Sequence, residues 1–294
     1  MSFNKAKIWA LTGFNAYNKS KDEIVELFHK SLEDPMHGLC FSPYEIGQKP
    51  GDQLTEKQVR RRLEIIKSHT NWVRSFSCTE GNELIPKIAH EMGMKTLTGA
   101  WLGENDEINE AEISNLIQLA KDGYVDIAVV GNEVLYRGDL SMNELIGNID
   151  RVKKEIPGIE VGYVDAYYEF ENHPELVSAC DVVLANCYPF WEGCSIEYSL
   201  LYMKDMYARA KRAGNGKRVI ITETGWPNQG GKLYGAQPSD FNALVYFLNA
   251  QSWSKEEDIE MFYFSSFDED WKEDSEGDVG PYWGLWDKNE KLKF

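Results

Sequence analysis

The sequence predicts a single (β/α)8 TIM barrel of class α/β, and three observations support this prediction. Eight short apolar segments recur at intervals of about 30 residues, and stretches with helical periodicity separate them. Strands that are apolar on both faces and alternate with helices are typical of parallel βαβ units. The length of 294 residues suits such a barrel. A doubly wound open sheet is the alternative, but no glycine-rich nucleotide motif follows a strand.

The predicted elements alternate along the chain in a regular order. The strands cover residues 38–44, 71–76, 95–102, 125–131, 159–166, 181–188, 218–223 and 260–267. The helices between them cover residues 55–68, 81–92, 108–122, 141–155, 173–179, 195–213 and 238–251. Several helices begin with a capping residue, such as Thr55, Ser141 and Ser239. The tail "WGLWDKNEKLKF" stands in the place of an eighth helix.

Residues 1–37 lie outside this eight-fold pattern, so we expect an N-terminal extension followed by a catalytic barrel over residues 38–294. The extension contains "KDEIVELFHKSLED", which has the pattern of an amphipathic helix. We expect this helix to pack on the outside of the barrel or to plug its bottom. No linker, low-complexity segment or change in composition divides the rest of the chain.

The composition excludes several classes of function. The chain has 31 Lys and Arg against 48 Asp and Glu, a net charge of −17, and no basic stripe, which argues against a nucleic-acid partner. The five cysteines and five histidines show no metal-ligand spacing, so we expect no metal and no cofactor. The aromatic content of 13% suits a groove that stacks on sugar rings.

Membrane association is not predicted either, because no apolar run approaches the length of a membrane span. The first residues also lack an apolar segment of signal-peptide length. The localisation stays undetermined, since a secreted or periplasmic protein whose leader has been removed would look the same.

Polar residues at the carboxyl ends of the strands are the candidates for a functional site, because barrel enzymes place their active sites there. These residues are Tyr44, Arg74, Trp101, Asn132, Glu133, Asp165, Tyr188, Glu223, Asp268 and Glu269. Glu133 and Glu223 lie 90 residues apart, which corresponds to three βα units. Both side chains can therefore point to the centre of the barrel from opposing sides.

Two facing carboxyl groups are what glycosidic bond cleavage requires. One protonates the leaving oxygen, and the other attacks the sugar or activates a water on its opposite face. Asn132, directly before the first glutamate, can hydrogen-bond the sugar 2-hydroxyl. Taken singly, a glutamate at a strand end is usually a charge at a helix N-terminus or part of a solvated face.

Two motifs carry a resemblance to a known family. "VGNEVLYRGD" (130–139) and "IITETGWP" (220–227) resemble the two catalytic signatures of glycoside hydrolase family 17, the β-1,3-glucanases of the clan A barrels. The resemblance runs from residue 41 to residue 287 and is closest to compact bacterial members. It implies a retaining mechanism with Glu133 as the general acid/base and Glu223 as the nucleophile.

The same resemblance implies substrate-binding residues around this pair. Tyr188 in "NCYPF" corresponds to the family's sixth-strand tyrosine, and "FDEDWK" places Glu269 and Lys272 beside the glutamates. By clan analogy Arg74 would hydrogen-bond the nucleophile and Trp226 would wall the sugar site. The further substrate-binding residues are Asn132 and Tyr44. The first 37 residues and the tail after "FDEDWK" depart from the family pattern.

The expected function is therefore retaining, endo-acting hydrolysis of β-1,3-glucosidic bonds in laminarin-like glucans. A β-1,3-glucanosyltransferase would use the same two glutamates, and the sequence does not separate the two. A β-1,4-glucanase or mannanase is a further alternative, because one barrel hosts many specificities. A non-catalytic glucan-binding module is disfavoured because both glutamates are present.

Overall fold

Eight parallel strands close into a barrel in the computed structural model, which describes residue 9, residues 12–16 and residues 18–294. Each strand pairs with the next in chain order, and the eighth pairs with the first. The strands are β1 Met36–Cys40, β2 Thr70–Ser75, β3 Lys95–Ala100, β4 Ile127–Asn132, β5 Glu160–Ala166, β6 Val183–Asn186, β7 Val219–Thr224 and β8 Met261–Tyr263. The predicted (β/α)8 barrel is confirmed.

The helices surround the barrel, and the seven predicted ones are present with ends shifted by a few residues. The described helices are α1 Lys21–Leu32, α2 Glu56–Ile66, α3 Leu84–Glu91, α4 Asp106–Lys121, α5 Val134–Arg137, α6 Met142–Glu155, α7 Tyr167–Asn172, α8 Pro174–Ala179, α9 Ser199–Gly214, α10 Asp240–Glu256 and α11 Glu273–Glu276. Thr55, Ser141 and Ser239 each accept a hydrogen bond from a backbone amide of the first helical turn. The additional helices α5, α7 and α11 are single turns or little more, which gives no clear periodicity in a sequence. None of the described helices is long and apolar enough to cross a membrane.

Helix α1 lies on the outside of the barrel against α10. The ring of Phe28 is 5.0 Å from that of Phe247, and Lys21 pairs with Asp240 at 2.7 Å. The C-terminal tail contains no helix after residue 283 and returns to the loop that follows β8. There Lys293 pairs with the buried carboxylate of Asp268 at 2.9 Å.

Register shifts near the carboxyl ends of the strands prepare the site. The pairing slips between residues 129 and 132 of β4, between 185 and 186 of β6, and between 221 and 224 of β7. Such irregularities bend a strand and redirect its side chains. Three residues with polar side chains lie at or directly after these shifts, at the mouth of the barrel: Glu133, Asn186 and Glu223.

Candidate active site

Glu133 is held at the mouth of the barrel by an unusual backbone conformation. Its φ angle of 51° lies in the left-handed region, and Gly131 two residues earlier has a φ of 88°. The amide of Glu133 still donates to the carbonyl of Val164 in β5, at 2.8 Å. Because a left-handed glutamate is unfavourable on its own, the surrounding contacts must impose it, and such residues cluster at functional sites.

The short helix α5 that follows is anchored by neighbouring strands. The hydroxyl of Tyr163 accepts a hydrogen bond from the amide of Leu135 at 2.9 Å and donates to the carboxylate of Asp165. The guanidinium of Arg137 donates to the carbonyl of Asn132. The turn that carries the first glutamate is therefore tied to β5 on one side and to its own strand on the other. Asp165 was noted at a strand end, but its positioning role was not predicted.

Glu223 ends β7 and is buried, with a partner for each carboxylate oxygen. The guanidinium of Arg74 donates to Oε1 at 2.5 Å, and the hydroxyl of Tyr188 donates to Oε2 at 2.7 Å. Arg74 also donates to Oδ1 of Asn132 at 2.6 Å. The structure thus brings four of the predicted residues together, and the buried guanidinium balances the negative charge of Glu223.

The two glutamates face each other across Asn186. Its Nδ2 group donates to Oε1 of Glu133 at 2.8 Å and to Oε1 of Glu223 at 3.2 Å. Since both contacts meet at one nitrogen, the two oxygens are at most 6.0 Å apart, the sum of those lengths. The hydroxyl of Thr222 donates to Oδ1 of Asn186 at 2.9 Å and orients the amide. Asn186 was missed, because only Tyr188 was taken from the end of the sixth strand.

The surroundings of Glu133 favour its protonated form. Burial, and to a lesser extent the neighbouring charge of Glu223, raise the pKa of Glu133 to about 7. Burial also raises the pKa of Asp165 to about 6. Glu133 therefore holds its proton near neutral pH, whereas Glu223 is paired with a guanidinium. Two neighbouring carboxyl groups in such different surroundings suit the roles of an acid and a nucleophile.

Lys272 and two further acids, Glu269 and Glu276, line the same cavity as the two glutamates. Lys272 is buried, pairs with Glu269 at 2.8 Å and lies 4.1 Å from the centre of the Phe264 ring. Burial raises the pKa of Glu276, which lines the same cavity, to about 7. Glu269 and Lys272 therefore line the cavity that also contains Glu133 and Glu223, and Glu276 is an acid that sequence reasoning did not select.

Of the two remaining predicted residues, Tyr44 and Trp226, only the first lines the cavity. Tyr44 lines the cavity, and its hydroxyl accepts a hydrogen bond from Asn82 at 3.4 Å. Trp226 is only 1% exposed and lies behind the wall, where it packs against Phe190 and donates to the carbonyl of Gln237 at 3.0 Å. The structure therefore does not bring Trp226 to the sugar-facing surface.

A cleft of about 1100 Å³ crosses the mouth of the barrel above these groups. Its aromatic lining comes from the segments that follow seven strands: Phe41, Tyr44, Phe76, Trp101, Tyr136, Tyr167, Tyr168, Tyr188, Trp191, Phe264 and Trp271. Aromatic faces of this kind stack on the apolar faces of sugar rings. Within the described part of the chain, no group of His, Cys, Asp and Glu is arranged to hold a metal ion.

The barrel, the facing carboxyl groups and the aromatic cleft together define a glycoside hydrolase. A family model described as the BtgE/BtgC glycoside hydrolase domain matches residues 38–284. The chain belongs to this family, a glucan-active group of the family 17 type.

Several known proteins are similar to this chain. The glucan 1,3-beta-glucosidase of Arthroderma benhamiae is 29% identical over 274 residues, which cover 85% of this chain and 88% of that protein. The family 17 β-1,3-glucanosyltransferase of Rhizomucor miehei has a TM-score of 0.78 at 28% identity, with 88% of this chain and 95% of that chain covered. An active-site mutant of that β-1,3-glucanosyltransferase was solved with laminaritriose. An endo-laminarinase from Formosa shares the fold, with a TM-score of 0.72 at 16% identity over 88% of this chain and 85% of that one.

Proposed function

We propose that this protein is a retaining β-1,3-glucan hydrolase in which Glu223 is the nucleophile and Glu133 the general acid/base. The shared contact of both glutamates with Asn186 is the observation that carries the proposal. It limits the distance between Oε1 of Glu133 and Oε1 of Glu223 to at most 6.0 Å. Inverting enzymes hold the two groups about 6.5–9.5 Å apart to admit a water, whereas retaining enzymes hold them about 5–5.5 Å apart.

The proposed reaction has two steps. First, the Glu223 carboxylate bonds to the anomeric carbon while Glu133 gives its proton to the departing glycosidic oxygen. Second, Glu133, now a carboxylate, takes a proton from a water, whose oxygen displaces Glu223 and restores both groups. Arg74 donates a hydrogen bond to Oδ1 of Asn132. The amide nitrogen of Asn132 can therefore donate to a sugar hydroxyl.

The similar proteins support β-1,3-glucan as the substrate. The Arthroderma benhamiae relative is named a glucan 1,3-beta-glucosidase, and the Rhizomucor miehei enzyme was solved with laminaritriose. Cleavage within chains is supported by the extent of the cleft, which reaches from Tyr44 beyond β1 to Trp191 beyond β6. We also infer that the chain is most similar to compact bacterial members of the family, which a phylogenetic tree would test.

Transfer to a second sugar is the alternative outcome of the same first step. It is favoured by the 28% identity to a β-1,3-glucanosyltransferase over most of the chain. The transferase would differ only in the second step, where a sugar hydroxyl in place of water gives its proton to Glu133. A product time course on laminarin oligosaccharides separates the two, because transfer yields products longer than the substrate.

Two variants test the assignment of the glutamates. Glu223→Ala is expected to abolish turnover while the circular dichroism spectrum stays native. Glu133→Ala is expected to lose activity on glucans and to keep part of it on aryl glycosides, whose leaving group needs no proton. Near-native turnover by the Glu223 variant would disprove the mechanism.

A further inference from the structure

We propose that the cleft continues past Trp101 into a second groove, which binds an additional glucosyl unit and makes the enzyme prefer longer chains. This proposal rests on the proposed function and adds a site to it. The groove has a volume of about 380 Å³ and lies between the loop after β3 and the start of α4. Trp101 and Ile108 line both this groove and the main cleft, so the two adjoin.

The shared wall is an exposed apolar surface. Trp101 is 40% exposed and Ile108 is 53% exposed, and together they form an exposed apolar patch. Exposed apolar surface beside a binding cleft marks an area that a ligand covers. A pyranose ring presents an apolar face of C–H groups, which an indole can stack against.

The indole of Trp101 is held in place before any ligand arrives. The guanidinium of Arg137 lies 4.6 Å from the centre of its ring, and that guanidinium is itself bonded to Asp139 and to the carbonyl of Asn132. The amide of Trp101 donates to the buried carboxylate of Glu112 at 3.1 Å. A side chain fixed in this way loses little conformational entropy when a sugar binds.

The floor of the groove is equally ordered and offers polar groups. Asn109 accepts from the amide of Gly103 at 2.8 Å and donates to its carbonyl at 2.7 Å. The Oδ1 atom of Asn105 caps α4, which leaves its amide nitrogen to donate to a hydroxyl. The volume corresponds to roughly a dozen waters at about 30 Å³ each, and a glucosyl unit has about as many heavy atoms.

Charge and position favour a neutral glucan as the occupant. Glu104 and Asp139 line the groove, and the chain carries a net charge of −17, so an anionic ligand would be repelled. A single guanidinium, that of Arg137, separates the indole from the carbonyl of Asn132, the residue before Glu133. The groove therefore extends the cleft on the side of the general acid/base.

The test compares chain lengths in matched variants. The ratio of kcat/KM for laminarin oligosaccharides of about six units to that for laminaritriose is measured for the wild type, Trp101→Ala, Ile108→Ala and Leu201→Ala. Leu201 is a suitable control, because it is an exposed aliphatic residue of α9 that lines neither cavity. Loss of one stacking contact is expected to lower the ratio about 3- to 10-fold for Trp101→Ala. Ile108→Ala should lower it less, and Leu201→Ala not at all.

A ratio that stays at the wild-type value in both groove variants would overturn the proposal, whether the rates on short and long substrates are unchanged or fall equally. Ile108→Ala keeps the test valid if Trp101→Ala misfolds, because alanine favours the helix at that exposed position. Fluorescence titration of Glu223→Ala, alone and combined with Ile108→Ala, measures binding of the same oligosaccharides without turnover. If the wild type cleaves no β-1,3-glucan, the proposed function fails; if it cleaves but the ratio is unmoved, only the groove fails.

Discussion

Raising the pH through 7 is expected to remove activity by deprotonating Glu133. The general acid must carry a proton in order to protonate the leaving oxygen, and burial raises the pKa of Glu133 to about 7. In free solution a glutamate has lost that proton above a pH of about 4.3. The alkaline limb of the pH profile of kcat/KM should therefore fall at neutral pH, far above the range of an ordinary carboxyl group.

The size of the effect follows from the protonated fraction. At pH 7 about half of the molecules carry the proton on Glu133, and at pH 9 about one in a hundred does, since the fraction falls tenfold for each unit above the pKa. We therefore expect kcat/KM on a laminarin oligosaccharide to fall about 50-fold between pH 7 and pH 9. Below pH 6 the same group is almost fully protonated and does not limit the rate.

The assay is a series of kcat/KM measurements from pH 5 to about pH 9.5, with circular dichroism at each pH to confirm that the protein stays folded. An aryl β-glucoside with an acidic phenol serves as the control substrate, because its leaving group departs without a proton. Its profile should show a much shallower alkaline limb. A rate on the glucan that stays flat up to about pH 9 would refute the assignment of Glu133 as the acid.

Three further predictions concern the groups around this pair. Arg74→Lys should lower kcat/KM about 10- to 100-fold, because an ammonium cannot reproduce the forked contact with a carboxylate and an amide; a loss below about 2-fold would contradict this. Asp165→Asn should move the alkaline limb to lower pH, because it removes a negative charge that raises the pKa of Glu133, whereas Tyr163→Phe should lower kcat without that movement. Glu133→Gln should raise Tm by at least about 2 °C at pH 8, where burying the charged form is costly, and by progressively less as the pH falls towards about 4, below which Glu133 is protonated in both the folded and the unfolded chain; calorimetry at about pH 8 and about pH 4 checks the difference.

Much of the fold was predictable because the barrel is encoded in local patterns. Each of the eight predicted strands overlaps an observed one, and the caps at Thr55, Ser141 and Ser239 are present as expected. The short helices α5 and α7 were not predicted, because one or two turns do not establish a period. The placement of α1 against α10 depends on contacts such as Phe28 with Phe247, which are far apart in the chain.

The site was predictable where a residue stands in a motif and not where it acts through a contact. Glu133 and Glu223 were selected from strand ends, and the structure brings their oxygens to within 6.0 Å. Asn186 and Asp165 gain their roles only from the groups they touch: Asn186 contacts Glu133, 53 residues away along the chain, and Asp165 contacts the amide of Tyr136, 29 residues away. Trp226 was expected at the sugar surface, but its side chain is turned into the packing behind the cleft.

The sequence by itself determined the order of strands and helices, the absence of a basic surface and the two glutamates at strand ends. These are properties of local composition and periodicity, which depend on neighbours in the chain. Only the tertiary structure decided how close the two carboxyl groups are, that Glu133 retains its proton near neutral pH, and which aromatic rings face the cleft. Distance, burial and the charge of neighbours from other strands set those properties, and all three arise only when the barrel closes.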